Sequence, residues 1–151
     1  MRFADVLLMA ADAEIEEGSV DIARTYINLV RARAAKFAPS NTAPYYQDAS
    51  ASTYANYNVG QYTTPFADKA AAMKALRFER KLELGMEGHR FFDLVRWGIA
   101  ATELNAYLTA EAARRPTTLA GTQFKAGTHE YYPIPSAVIT NIPGIKQNPG
   151  Y

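Results

Sequence analysis

Residues 77–98 constrain this chain more than any other stretch. They read Arg-Phe-Glu-Arg-Lys-Leu-Glu-Leu-Gly-Met-Glu-Gly-His-Arg-Phe-Phe-Asp-Leu-Val-Arg-Trp-Gly. The run is densely charged, yet Leu82, Leu84, Met86, Phe91, Phe92, Leu94, Val95 and Trp97 lie among the charges. A solvated charge run carries few large apolar groups, and a plain core helix carries few charges. Charged groups held against an apolar interior are stable only when paired. Glu79, Glu83 and Glu87 fall four apart on one predicted helical face, where like carboxylates repel, so arginines must come to them. Arg80, Arg90 and Arg96 are the expected partners, and Arg31 or Arg33 is a further candidate to pair with these acids or to cap helix carbonyls.

Two other blocks stand out. The first 34 residues contain Ala-Asp-Val-Leu-Leu-Met-Ala-Ala-Asp-Ala and, further on, Ile-Asn-Leu-Val-Arg-Ala-Arg-Ala. The end carries Tyr-Pro-Ile-Pro and then Gln-Asn-Pro-Gly-Tyr. The spacing of Glu79, Arg80, Glu83, Glu87, Gly88, Arg90, Asp93, Leu94, Arg96, Trp97 and Gly98 resembles the signature of the SusD/RagB family, and the order of the three blocks agrees. So many matched positions make a specific signal, unlike a lone short motif.

Periodicity divides the chain further. Residues 2–17 read as an amphipathic helix with Phe3, Val6, Leu7 and Ala10 on its apolar face. Gly18 is the expected left-handed stop and Ser19 the next N-cap. A second helix to about residue 37 presents Ile22, Ala23, Tyr26, Ile27 and Val30. The very short link forces an antiparallel hairpin of tetratricopeptide-like shape, and one such hairpin cannot bury both faces. Its outer face is therefore expected to be unusually apolar.

Residues 38–65 lose helical periodicity and form a tyrosine-rich loop. A long helix is predicted over 66–86, bent at Gly88, followed by 89–97 with Phe92, Leu94 and Val95 inward. Another helix, 99–114, presents Leu104, Tyr107 and Leu108 and stops before Pro116. Residues 116–151 read as loop and extended tail, with a short strand near 123–125 and a turn capped by Ser136. The predicted fold is mainly α: a tetratricopeptide-like hairpin packed on a central bent helix, in one domain over 1–151.

Composition sets outer bounds. The 151 residues carry a net charge of +1 and are 48% apolar, which gives no footing for a nucleic-acid partner. There is no cysteine, so disulfides and thiol chemistry are excluded. No apolar run approaches the roughly 18 residues of a spanning helix. Asp5 and Asp12 interrupt the N-terminal apolar run, which does not read as a signal peptide.

Several constellations could carry chemistry. Glu83 and Glu87 could act as a general acid and base in glycoside hydrolysis, but a glycosidase pair faces its partner across an open cleft, whereas these share a helix with arginines. The favoured reading is a structural ion-pair motif of Glu79, Arg80, Glu83, Glu87, Arg90, Asp93 and Arg96. His89 and Asp93, four apart, lack the further ligands of a metal site. Neither metal nor cofactor is expected. Trp97 fits a core or interdomain contact better than a sugar platform. The loop offers tyrosine planes and short amides of the kind that sugar rings need, so Tyr45, Tyr46, Tyr54, Asn56, Tyr57, Asn58 and Tyr62 are the carbohydrate-binding candidates.

The family resemblance implies a non-enzymatic nutrient-binding protein at the outer membrane, surface-exposed and tethered by a lipid anchor. It implies an oligosaccharide or other oligomeric ligand and a SusC-like TonB-dependent transporter as partner. It also implies that this chain is a C-terminal fragment or a short relative. The alternative is a structural or docking fragment whose ligand site lies in a missing N-terminal part.

Overall fold

The computed structural model describes residues 2–36 and 59–151. Seven helices are present and no strand, among the described residues. They are α1 (Phe3–Glu17), α2 (Val20–Lys36), α3 (Lys69–Glu83), α4 (His89–Arg96), α5 (Ala100–Ala112), α6 (Pro116–Leu119) and α7 (Ser136–Asn141). The fold is mainly α, as the periodicity implied. The chain divides into two compact units, Met1–Glu87 and Gly88–Tyr151.

In the first unit α1 and α2 form a hairpin that packs on α3. The core stripe of α1 is Ala4, Leu8, Ala11 and Ile15, a 4-3-4 spacing that keeps one face inward. Ala23, Ile27 and Val30 of α2 meet it, with Ala72, Met73 and Leu76 of α3 below. Leu8, Ile27, Leu76 and Val30 are fully enclosed, and each such side chain contributes about 1.5–3 kcal/mol relative to exposure.

This stripe differs from the expected one. Phe3 is 76% exposed and Val6 is also exposed, with Leu7 and Ala10 half-buried. The buried face is rotated by one residue, about 100°. Asp5 explains the rotation, because it is buried beside the guanidinium of Arg80 at 3.0 Å and both side chains are about 95% enclosed. Asp12, two turns on, is buried as well. Turning Phe3 and Val6 inward would send Asp5 away from its partner. The alanines beside it let the helices approach closely.

The hairpin link also differs in kind. Gly18 is not left-handed, with φ −126° and ψ −130°. Its role is spatial: a Cβ there would lie 2.1 Å from the Glu14 carboxylate, which accepts from the Ser19 N–H at 2.9 Å. Ser19 Oγ in turn accepts a long bond from the Ile22 N–H at 3.4 Å. Asp68 caps α3 by accepting from the Ala71 N–H at 2.7 Å, so this helix starts later than the apolar pattern suggested.

In the second unit Leu94 and Ala100 are buried. Phe91 meets Phe124 edge-on with ring centroids 6.2 Å apart, and Phe124 meets His129 at 5.4 Å. Phe92, expected inside, is 72% exposed, and Tyr107 is exposed too. The end of α4 explains the Trp-Gly pair. Gly98 takes φ +67°, its N–H donates to the Val95 carbonyl, and the Ile99 N–H donates to the Leu94 carbonyl. That pairing closes a Schellman motif, in which glycine has no Cβ penalty. Pro116 opens α6 instead of ending α5, and Ser136 occupies the first turn of α7 without a side-chain cap.

The closing block binds itself. Gln147 accepts from the Ile134 N–H at 2.7 Å and donates to the Ile134 carbonyl at 2.9 Å. Asn148 donates to the Tyr132 carbonyl at 2.6 Å, and the Tyr151 hydroxyl donates to the Tyr131 carbonyl at 3.0 Å. The Gln-Asn-Pro-Gly-Tyr ending is thus the clasp of the Tyr-Pro-Ile-Pro segment.

Two outcomes follow from these contacts. Asp5→Ala removes the enclosed carboxylate beside a buried guanidinium and should destabilise the chain by about 3–5 kcal/mol, whereas Arg90→Ala removes a partly exposed pair with Glu103 at 3.7 Å and should cost about 0–1 kcal/mol. Denaturant unfolding of both variants separates them, and equal midpoints would refute the assignment. Phe3, Val6, Met9, Ile22 and Leu29 are exposed on the hairpin. Sedimentation velocity should therefore show concentration-dependent association that Phe3→Ser with Leu29→Ser suppresses; a monomer at all concentrations would count against it.

Candidate functional site

The three central acids are met from the hairpin. Glu79 is buried and bonded to Arg31 at 2.7 Å. Glu83, the last residue of α3, accepts from Arg2 at 2.6 Å and also pairs with Arg33. Arg2 reaches Glu87 at 2.6 Å and donates to the Glu83 carbonyl at 2.7 Å. Hydrogen bonds donated to the Glu87 and Glu83 carboxylates hold the Arg2 guanidinium above its ordinary pKa range. The arginines expected from the local sequence also meet other acids: Arg80 meets Asp5, Arg90 meets Glu103, and Arg96 meets Asp93 at 3.3 Å.

The reason is geometric. The helix ends at Glu83, and Glu87 lies in the turn beyond it, where Met86 has φ +66°. The acids do not form one continuous helical row. Glu83 and Glu87 share a single guanidinium, and Glu83 has a second. This arrangement places both carboxylates against cations, unlike a glycosidase pair that faces its partner across an open cleft. No group of three or more metal-ligating side chains gathers among the described residues. His129 instead accepts from the Lys125 N–H through Nδ1 at 3.0 Å. Trp97 is half-buried, with the Arg96 guanidinium 5.1 Å from its ring centre.

Of the carbohydrate-binding candidates, Tyr45, Tyr46, Tyr54, Asn56, Tyr57 and Asn58 lie outside the described residues. Tyr62 lies within them, on an extended segment fixed against α2. Asn28 accepts from the Tyr62 N–H at 2.8 Å and donates to its carbonyl at 2.9 Å. Arg24 donates to the same carbonyl at 3.1 Å. Arg31 donates to the Gly60 carbonyl at 2.5 Å and lies 4.9 Å from the Tyr62 ring centre. The Tyr62 and Phe66 rings are 5.1 Å apart and tilted.

This fixed segment forms one wall of a cleft of about 590 Å³. The other wall is the outer face of α3, where Ala71 and Ala75 make a low floor and Phe78 and Lys74 stand above it. Gln61, Thr63 and Thr64 supply polar groups at the rim. The size lies within the usual range for small-molecule sites. Aromatic surface beside amides and hydroxyls can receive a sugar ring, with C–H groups on the ring faces and hydroxyls on the rim.

The α3 wall was not foreseen from sequence. A signal was present: Phe78 sits four residues after Lys74 on the face opposite Ala72, Met73 and Leu76, and a large aromatic on a polar face invites a binding role. A smaller hollow of about 380 Å³ lies on the hairpin between Phe3, Leu7 and Leu29, edged by Arg2 and Arg33.

The carboxamide of Asn28 should be the main clamp on the cleft wall. Asn28→Ala leaves a part-buried N–H and carbonyl with fewer partners and should cost about 1–3 kcal/mol. Amide hydrogen exchange at Tyr62 should accelerate while α1 and α3 keep their protection; unchanged exchange would show that Arg24 and Arg31 suffice.

Comparison with known proteins places these features. The family model described as the SusD family matches residues 1–151. A SusD-like protein of Formosa agariphila is 37% identical over 98 residues, which is 65% of this chain and 15% of that protein. The chain therefore spans a small part of the length of that curated relative.

Proposed function

Because the chain belongs to the SusD family, we propose that it is part of a non-catalytic nutrient-binding protein that captures oligosaccharides. In this reading it acts at the cell surface, held to the outer membrane by a lipid anchor, and delivers ligand to a SusC-like TonB-dependent transporter. No helix among the described residues is long and apolar enough to cross a membrane. The observation that carries the ligand reading is the cleft between the fixed segment at Tyr62 and the outer face of α3. It joins aromatic surface to neutral polar groups on a wall held by three side chains of α2. Prepared walls of this kind reduce the ordering cost of binding.

A second reading is favoured by the exposed apolar groups of the hairpin, Phe3, Val6, Met9, Ile22 and Leu29. In it the hairpin is a docking module, and its outer face is covered by another surface. The two readings use different faces of the same unit and are compatible.

The test is a glycan-array screen followed by calorimetric titration of a hit. Each ring that stacks on the sugar should contribute about 0.5–1.5 kcal/mol, so Tyr62→Ala with Phe78→Ala should weaken binding at least several-fold. The Tyr62 change retains the backbone bonds to Asn28, and cooperative unfolding of the variant checks the fold. The wild-type chain should show no oligosaccharide cleavage. Affinity that survives the double change, or turnover that disappears in Glu83→Gln, would overturn the proposal.

A further inference from the structure

We infer that the cleft selects sugars bearing an anionic group, a carboxylate or a sulfate ester, and that Lys74 is the residue that does so. The inference rests on the sugar-binding reading of the same cleft. Gln61, Thr63 and Thr64 are neutral, and no Asp or Glu contributes to the lining among the described residues. Asp68 and Glu79 flank lining residues in sequence, but the Asp68 carboxylate is turned back to the Ala71 N–H as the helix cap and Glu79 is buried against Arg31. Lys74 is the one charged lining group among the described residues. It is exposed and forms no ion pair among the described residues, whereas Lys69, on the same helix, is bonded to Glu16.

The surrounding side chains sharpen the effect. Ala71 and Ala75 leave the lysine stem unscreened by bulky neighbours, and Phe78 stands one turn further along the helix. A sugar ring laid over the alanine floor would present its apolar face to Phe78 and an acidic substituent to the ammonium. A neutral sugar gains the first contact only. The nearby guanidinium groups of Arg24 and Arg31 already donate to the carbonyls of Tyr62 and Gly60, so they set the wall and not the preference. Lys74 acts here as a flexible point charge, which suits a carboxylate or a sulfate on a ring of variable tilt.

The experiment uses matched probes that differ only in charge. Calorimetric titration of the full chain compares trigalacturonate with its methyl ester, and a carrageenan tetrasaccharide before and after desulfation. Low-salt buffer should show a preference of about threefold to fivefold for at least one anionic member, the size that a single partly exposed ion pair supplies. The preference should shrink in concentrated salt as the charges are screened. It should vanish in Lys74→Gln, return in Lys74→Arg, and persist in Lys81→Gln, a lysine of α3 outside the cleft. Which pair shows it identifies carboxylate or sulfate as the group recognised. Equal binding of anionic and neutral members, a preference that survives Lys74→Gln, or binding of none of the four probes would overturn the inference. If a neutral glycan still binds through Tyr62 and Phe78, only the anionic preference has failed. If no glycan binds at all, the sugar reading fails with it.

Discussion

The first unit depends on guanidinium groups that cross between helices. Arg80 of α3 reaches Asp5 of α1, while Arg2, Arg31 and Arg33 reach Glu83, Glu87 and Glu79 from the hairpin side. The pairs differ in kind. Arg80–Asp5 is fully enclosed, and its net value is small because both ions were desolvated to make it. Removing one partner is costly because the other remains buried. Its main effect is on register: α1 can face α3 only with Asp5 inward, and that choice puts Phe3 and Val6 outside. The outer pairs at Arg2 and Arg33 are partly exposed and individually weak. They sit at the end of α3, where the chain leaves the helix, and they fix where that helix stops.

A second constraint runs through both units. An all-helical fold has no ladder to receive the peptide groups of its extended segments, and those groups need partners when shielded from water. Three carboxamides fill the gap in the same way. Asn28 pairs with both backbone groups of Tyr62, Asn105 with both of Phe124, and Gln147 with both of Ile134. Each amide carries one donor and one acceptor in a plane, as a neighbouring strand would. Asn105 thereby holds the segment that the sequence reading made a short strand. No strand forms there, and the segment's partner is a helix side chain.

Much of the fold could be read from spacing, because helix periodicity, Gly98 and the proline-rich tail each act locally. The second and fifth helices lie close to their expected positions for that reason. The failures share a cause. Which face of α1 turns inward, and which arginine meets which acid, depend on groups far apart in sequence. Arg2 and Glu87 are an example: a local spacing rule cannot find a pair separated by 85 positions. Hydrophobic patterning prefers Phe3 to Ala4 as a core residue, yet the buried charge decides otherwise. The candidate site was half legible. Its tyrosine, Tyr62, belongs to a segment marked by composition, but the opposite wall is the outer face of a helix whose apolar spacing marks only the inner face.

The most recognisable residues and the most ligand-like residues are therefore different sets. The signature acids near the end of α3 are committed to arginines of the hairpin, and Arg80 to Asp5, and a committed carboxylate or guanidinium has little left to offer a ligand. Their spacing identifies the family because it encodes a way of joining a hairpin to a helix. Selectivity must come from side chains that the fold does not need. On α3 these are Lys74 and Phe78, which point away from the core formed by Ala72, Met73 and Leu76. Changing them alters what the cleft can hold while leaving the helix and its ion pairs intact. A fold organised in this way can keep one architecture for many ligands, since the charges that build it and the groups that line the cleft lie on opposite sides of the same helix.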